Sequence, residues 1–126
     1  HLRPHRLAAV AAAGDHVRLP VADPRGLRLA AGKPDLAADM LAMLLASLDA
    51  DRDAIRCARE ADDRHATIER VHRLNGATRY CGVPQLRAAC QRSETLLKQD
   101  DPEAQRALDE LDQAINRLTT VARQSA

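Results

Sequence analysis

The 126 residues carry 19 Lys and Arg against 18 Asp and Glu, for a formal net charge of +1, with one Tyr and neither Phe nor Trp. That length describes one domain. Without a basic excess or aromatic stacking surfaces, the chain lacks the equipment of a nucleic-acid binder. Its apolar residues are largely Ala and Leu, side chains that suit close-packed helices better than a sheet. No segment alternates apolar and polar at period two, and no apolar run approaches the ~18 residues of a membrane span. Cys57, Cys81 and Cys90 form no CxxC pair and read as small buried residues of a reducing compartment. The opening resembles no signal peptide, and a start at His1 reads as that of an excised or tagged fragment.

In chain order, residues 1–22 are the least committed. Pro4, Gly14 and Pro20 interrupt them, and an isolated Ala-rich helix over Leu7–Ala13 is marginal in water, so the segment reads as a linker or weakly ordered arm. Asp23-Pro24 offers a helix start, with Leu27–Ala31 as a short helical piece that Gly32 ends. A helix from Pro34 to about Asp49 follows, its wide stripe of Leu36, Met40, Leu41, Met43, Leu44, Leu45 and Leu48 implying burial against several neighbours. Asp51 or Asp53 then begins a further helix to about Ala61, with Ile55 and Ala58 inward.

A central helix is expected from about Arg64 to Tyr80, then a turn over Cys81-Gly82-Val83 and a new helix opening at Pro84. In the latter Leu86, Ala89, Cys90, Ser93 and Leu97 point one way. After the break at Gln99–Pro102, Ala104, Leu108, Leu111, Ile115, Leu118 and Ala122 recur at alternating steps of four and three, the seam of a bundle helix. Short connections make consecutive helices antiparallel. The fold expected is all-α: residues 23–126 as an up-down four-helix bundle with one or two short additional N-terminal helices.

The central helix carries the specialised residues. Spaced at 100° per residue, Thr67, Val71, Leu74 and Thr78 share the core face, while His72, Gly76 and Arg79 lie on a solvent stripe beside His65 and Glu69. A mid-helix Gly costs roughly 1 kcal/mol against Ala; at i+4 from His72 it gives a large partner clearance to approach the imidazole. His65 has Glu69 at that place instead. The two histidines are about 10.5 Å apart along the helix, too far to chelate one metal, and no Cys joins either at ligand spacing.

His72-Arg73-Leu74-Asn75-Gly76, with Gly82 after it and an amphipathic helix behind, resembles the histidine-containing phosphotransfer (HPt) domain. The stretch from His72 through Gln91, containing Tyr80-Cys81-Gly82-Val83-Pro84, is more narrowly similar to the C-terminal HPt module of GacS/BarA-type tripartite hybrid sensor kinases. The likeness runs from Leu29 to about Arg123. It implies that His72 is the phosphoacceptor, Arg73 its basic neighbour and Gly76 the clearance residue. It also implies that Glu94 stands where a polar side chain hydrogen-bonds the active imidazole. Asn75 occupies a position at which many members have Lys or His.

The resemblance further implies a phosphorelay carrier that takes a phosphoryl group from a receiver-domain aspartate and passes it to that of a response regulator. The carrier would have no cofactor of its own, Mg²⁺ being supplied by the receiver, and no ATP-binding or kinase activity, in keeping with the lack of a P-loop or kinase glycine-rich loop. It would be a cytoplasmic, monomeric module of an inner-membrane sensor kinase, with receiver domains as partners and no direct membrane contact. Imidazole suits the task because it is substantially neutral near pH 7 and offers a nitrogen lone pair. Arg73 and Arg79 flank His72 and complement phosphate charge; Arg87 sits with Glu94 on the facing helix and Arg92 to the other side. An apolar rim of Leu36 or Val83 would dock the receiver, while Met40 and Met43 belong to the core. The competing reading is a helical adaptor that binds a partner without chemistry.

Overall fold

The structure is a computed structural model, and it describes residues 4–15 and 34–125. Five helices account for nearly all of them: α1 Pro4–Gly14, α2 Pro34–Glu60, α3 Arg64–Ala77, α4 Pro84–Lys98 and α5 Ala104–Ser125. Helices α2 to α5 pack each against the next, and α5 closes back on α2. This is the expected antiparallel bundle; α1 lies on it against α5 and α2.

The expected seams form the core. Leu41, Leu44, Leu48 and Ile55 of α2, Val71 and Leu74 of α3, Leu86, Cys90 and Leu97 of α4, and Leu108, Leu111, Ile115 and Leu118 of α5 are all buried. The hydroxyls on the inner face of α3 find backbone partners, Thr67 donating to the Asp63 carbonyl at 2.8 Å and Thr78 to the Asn75 carbonyl at 2.7 Å. Asp63 caps α3 by accepting the Ala66 N–H at 3.0 Å, as an Asp before a first turn should. Asp62 takes φ 51° in the α2–α3 turn and Gly82 takes φ 67° before α4, left-handed positions that Gly and Asp adopt most readily.

α3 ends at Ala77 rather than near Tyr80, which leaves Arg79 in the turn that follows, and two larger expectations about element boundaries fail. Residues 34–60 are one continuous helix of 27 residues, not two pieces broken near Asp49–Asp53. The acidic run looks like a helix start because Asp caps well, but here its charges are answered within the helix and across the bundle. Ser47 donates to Asp51 at 3.0 Å, and Arg123 of α5 pairs with Asp49 at 2.8 Å. Arg52, next in line, forks onto both oxygens of Asp112 at 2.6 and 2.8 Å. That bidentate contact holds the Asp112 carboxyl below its usual range, and with no Gly or Pro in the run nothing ends the helix.

The second correction concerns residues 1–22. The part of this supposed linker that the structure describes is helix α1 and Asp15. Leu7, Val10 and Ala11 are buried, the i, i+3, i+4 pattern of a docked face; burying a Leu or Val side chain stabilises by roughly 1.5–3 kcal/mol. Packing supplies what propensity alone lacks. Gly14, read as an interruption, is instead a contact: a Cβ there would lie 2.9 Å from Leu118 Cα. The expected helix start at Asp23-Pro24 and the piece over Leu27–Ala31 lie outside the described residues.

Three single-residue expectations are also reversed. Met43 is 72% exposed rather than core. Cys57 is exposed, whereas Cys81 and Cys90 are buried as expected, their thiols pushed up by desolvation to about 11 and about 12. Val83 is buried and takes no part in a surface rim, whereas Leu36 is exposed.

Candidate functional site

The groove between α3 and α4 holds the site. The inward set Thr67, Val71 and Leu74 fixes the rotation of α3, which leaves the His72 side chain 72% exposed. Its Nδ1 lies 2.8 Å from Oε2 of Glu94 on α4. Glu94 is the opposite kind of residue, a carboxylate with its side chain only 11% exposed at the edge of the buried face formed by Leu86, Cys90, Ser93 and Leu97. Its position is set by the core packing of α4.

The same Oε2 receives Lys98 Nζ at 2.8 Å, one helical turn on. Burial works to raise the Glu94 pKa, but hydrogen bonds from Lys98 and His72 outweigh it and hold the carboxyl below its ordinary value. An ionised carboxylate only accepts hydrogen bonds. The His72 nitrogen facing it must therefore be the donor, Nδ1–H, and in the neutral ring the lone pair sits on Nε2, on the solvent side. The arrangement thus presents an oriented nitrogen nucleophile on an open surface.

Gly76 is exposed, and a Cβ built on it meets no atom within 4 Å. No close packing within the described chain calls for a glycine there. Arg73 is exposed on α3. Arg79 is exposed too, its guanidinium 6.0 Å from the Tyr80 ring centroid, within cation–π range. Arg87 is half-buried on α4, and Arg92 points away to α5, pairing with Glu110 at 2.7 Å. His65 pairs loosely with Glu69 at 3.4 Å. Asn75 is half-buried, and its Oδ1 has no hydrogen-bond partner among the described residues.

Lys98 is the residue that sequence reasoning missed. The signal was present, because Glu and Lys four apart on a helix face each other, but such pairs are common on solvated surfaces. Only the burial of Glu94 turns this one into part of the site. Among the described residues no group of three or more His, Cys, Asp or Glu side chains is gathered as metal ligands would be, and no helix is long and apolar enough to cross a membrane.

An antiparallel bundle that holds an exposed imidazole against a largely buried carboxylate defines a class of structure: a helical scaffold with an oriented surface histidine. Residues 39–121 match the Hpt domain, and the chain belongs to that family, the phosphorelay domains of two-component signal transduction. It is 78% identical over 101 residues to the sensor histidine kinase GacS of Pseudomonas protegens, covering 80% of this chain and 11% of the kinase. It is 39% identical over 92 residues to the signal transduction histidine-protein kinase BarA of Escherichia coli, covering 68% of this chain and 10% of that protein. The chain therefore spans about a tenth of the length of the curated relatives it matches. Among solved structures, the HPt domain of a sensor hybrid histidine kinase from Shewanella superposes with a TM-score of 0.60 at 35% identity, covering 79% of this chain and 90% of that one.

Proposed function

We propose that His72 is the phosphoacceptor of this domain, taking a phosphoryl group on Nε2 from the aspartyl phosphate of a receiver domain and yielding it to the aspartate of a response regulator. The observation that carries the reading is the pairing of an exposed imidazole with a largely buried carboxylate at 2.8 Å, which frees the outer nitrogen for attack. On uptake the Nε2–P bond forms as the aspartyl O–P bond breaks. The bonding pair returns to the donor carboxylate, and the reverse sequence discharges the carrier.

Phosphoryl transfer depends chiefly on alignment and charge stabilisation. The domain contributes the aligned nitrogen and the clearance at Gly76, while the receiver contributes Mg²⁺ and its acidic pocket. Arg73 from α3 and Arg79 from the turn after it support the phosphoryl charge. The domain acts without binding ATP and as a monomer, on the cytoplasmic side of a membrane-bound hybrid kinase. Its partners are that kinase's receiver and a separate regulator.

The test is incubation with a receiver domain charged by radiolabelled acetyl phosphate. The chain is expected to acquire an acid-labile, base-stable label that His72→Gln abolishes and His65→Gln leaves intact. Label that persists in folded His72→Gln would overturn the assignment.

A further inference from the structure

Oε2 of Glu94 serves two donors, each at 2.8 Å: Nδ1 of His72 and Nζ of Lys98. A carboxylate bound to imidazole alone favours the doubly protonated ring, since an opposite charge within ~4–6 Å stabilises the charged form. An imidazolium has no lone pair with which to attack phosphorus. A carrier needs the orienting hydrogen bond without that penalty, and a cation on the same oxygen separates the two effects.

We infer that Lys98 is a positioning residue for the relay: by neutralising Glu94 it lets that carboxylate fix the Nδ1–H form of His72 while leaving Nε2 unprotonated and able to accept phosphate. The inference rests on His72 being the acceptor and assigns the charge balance of that same site.

The geometry gives this role to no other residue. The other charged side chains that the elements bring to this end of the site are Glu69 and Arg73 on α3, Arg79 in the turn after it and Arg87 on α4. Among the described residues, the ion pairs of Glu94 are with His72 and Lys98 alone. Nothing in this arrangement requires Lys98 for folding: its side chain is 59% exposed, and exposed ion pairs contribute little to stability.

The balance acts in both directions of transfer. Uptake needs Nε2 free. Once Nε2 carries the phosphoryl group, the ring with Nδ1 still protonated is cationic and is the better leaving group; a bare Glu94 would favour that form and shorten the life of the charged carrier. Lys98 therefore favours loading and retention together.

Phosphoramidate tests this without a protein partner. His72 Nε2 attacks phosphorus, the N–P bond of the reagent breaks, and ammonia leaves with the proton it needs. Lys98→Met is expected to load about threefold to tenfold more slowly near pH 7, to recover the wild-type rate near pH 9, and to lose its label faster. Lys98→Arg should behave as wild type. In a Glu94→Gln background, the same Lys98→Met change should leave the pH profile unmoved, because no carboxylate remains to be neutralised.

Wild-type loading by Lys98→Met at every pH, or an equal slowing at every pH, would overturn the role of Lys98 while leaving His72 as acceptor. Failure of the wild-type chain itself to load at His72 would instead overturn the underlying reading.

Discussion

Asp15 accepts the backbone N–H of Leu86 at 2.7 Å, from 71 residues away in the chain, and that of Gln85 at 2.6 Å. Val83, the residue at the N-cap of α4, offers no side-chain hydrogen bond, so the end of α1 supplies the cap. Pro84 has no N–H to satisfy, and the next two amides that this helix start leaves unpaired find their acceptor in another part of the molecule. The helix so capped is the one that carries Glu94 and Lys98.

Burial raises the Asp15 carboxyl from 3.8 to about 6, against the two amide hydrogen bonds and Arg117, which act to lower it. The folded chain therefore holds this proton more tightly than the unfolded one, and stability falls with rising pH wherever that is so. The contribution is complete below 3.8 and is lost as the pH rises through about 6. Between pH 7 and about 4.5, wild type should gain on the order of 2 kcal/mol relative to Asp15→Asn, read from urea denaturation at each pH. Parallel profiles for the two proteins would contradict the assignment.

Gly14 and Gly76 predict opposite responses to the same substitution. At Gly14 an added methyl meets the Leu118 backbone at 2.9 Å, and overpacking of this kind costs about 1–3 kcal/mol, more than the gain in helix propensity. Gly14→Ala should lower the denaturation midpoint.

Gly76→Ala should raise it, by about 1 kcal/mol, since the methyl enters open space. The same variant should load normally from phosphoramidate yet accept phosphate from a charged receiver about tenfold more slowly or worse, because small misplacements at the reacting centre are costly. Normal transfer from the receiver would show that the clearance is unused.

Glu94→Ala should slow loading several-fold, as Nδ1 loses its acceptor and the ring its fixed tautomer. Glu94→Gln, which keeps an acceptor oxygen, should retain most of the rate. The ¹⁵N shifts of the two ring nitrogens report the tautomer directly, and an unchanged pattern in Glu94→Ala would remove Glu94 from the mechanism.

What the sequence makes legible follows from local periodicity. The step pattern from Ala104 to Leu118 and the split of α3 into a core stripe and a His72 stripe depend only on spacing along one helix. The sequence-derived pairing of His72 with Glu94 across the groove came through family likeness, and the structure brings the two together. Long-range relationships were the ones missed. Asp49–Asp53 looks like a helix start until Arg123 and Asp112 on α5 are in view. Pro4–Gly14 looks unstructured until Leu118 is there to receive it. Lys98 looks like solvated surface until Glu94 is known to be buried. In the first two cases the deciding partner is on another helix; in the third it is one turn away, and what local spacing does not reveal is its burial by the bundle.

The sorting of the three cysteines has a practical side. Cys81 and Cys90 are enclosed, with thiols that stay protonated near neutral pH, and thiols in that state are poor nucleophiles. Cys57 stands open on the outer side of α2. A maleimide dye offered to the folded chain should attach at one place without any engineering. That gives a ready fluorescent handle for timing how long a receiver stays on the bundle.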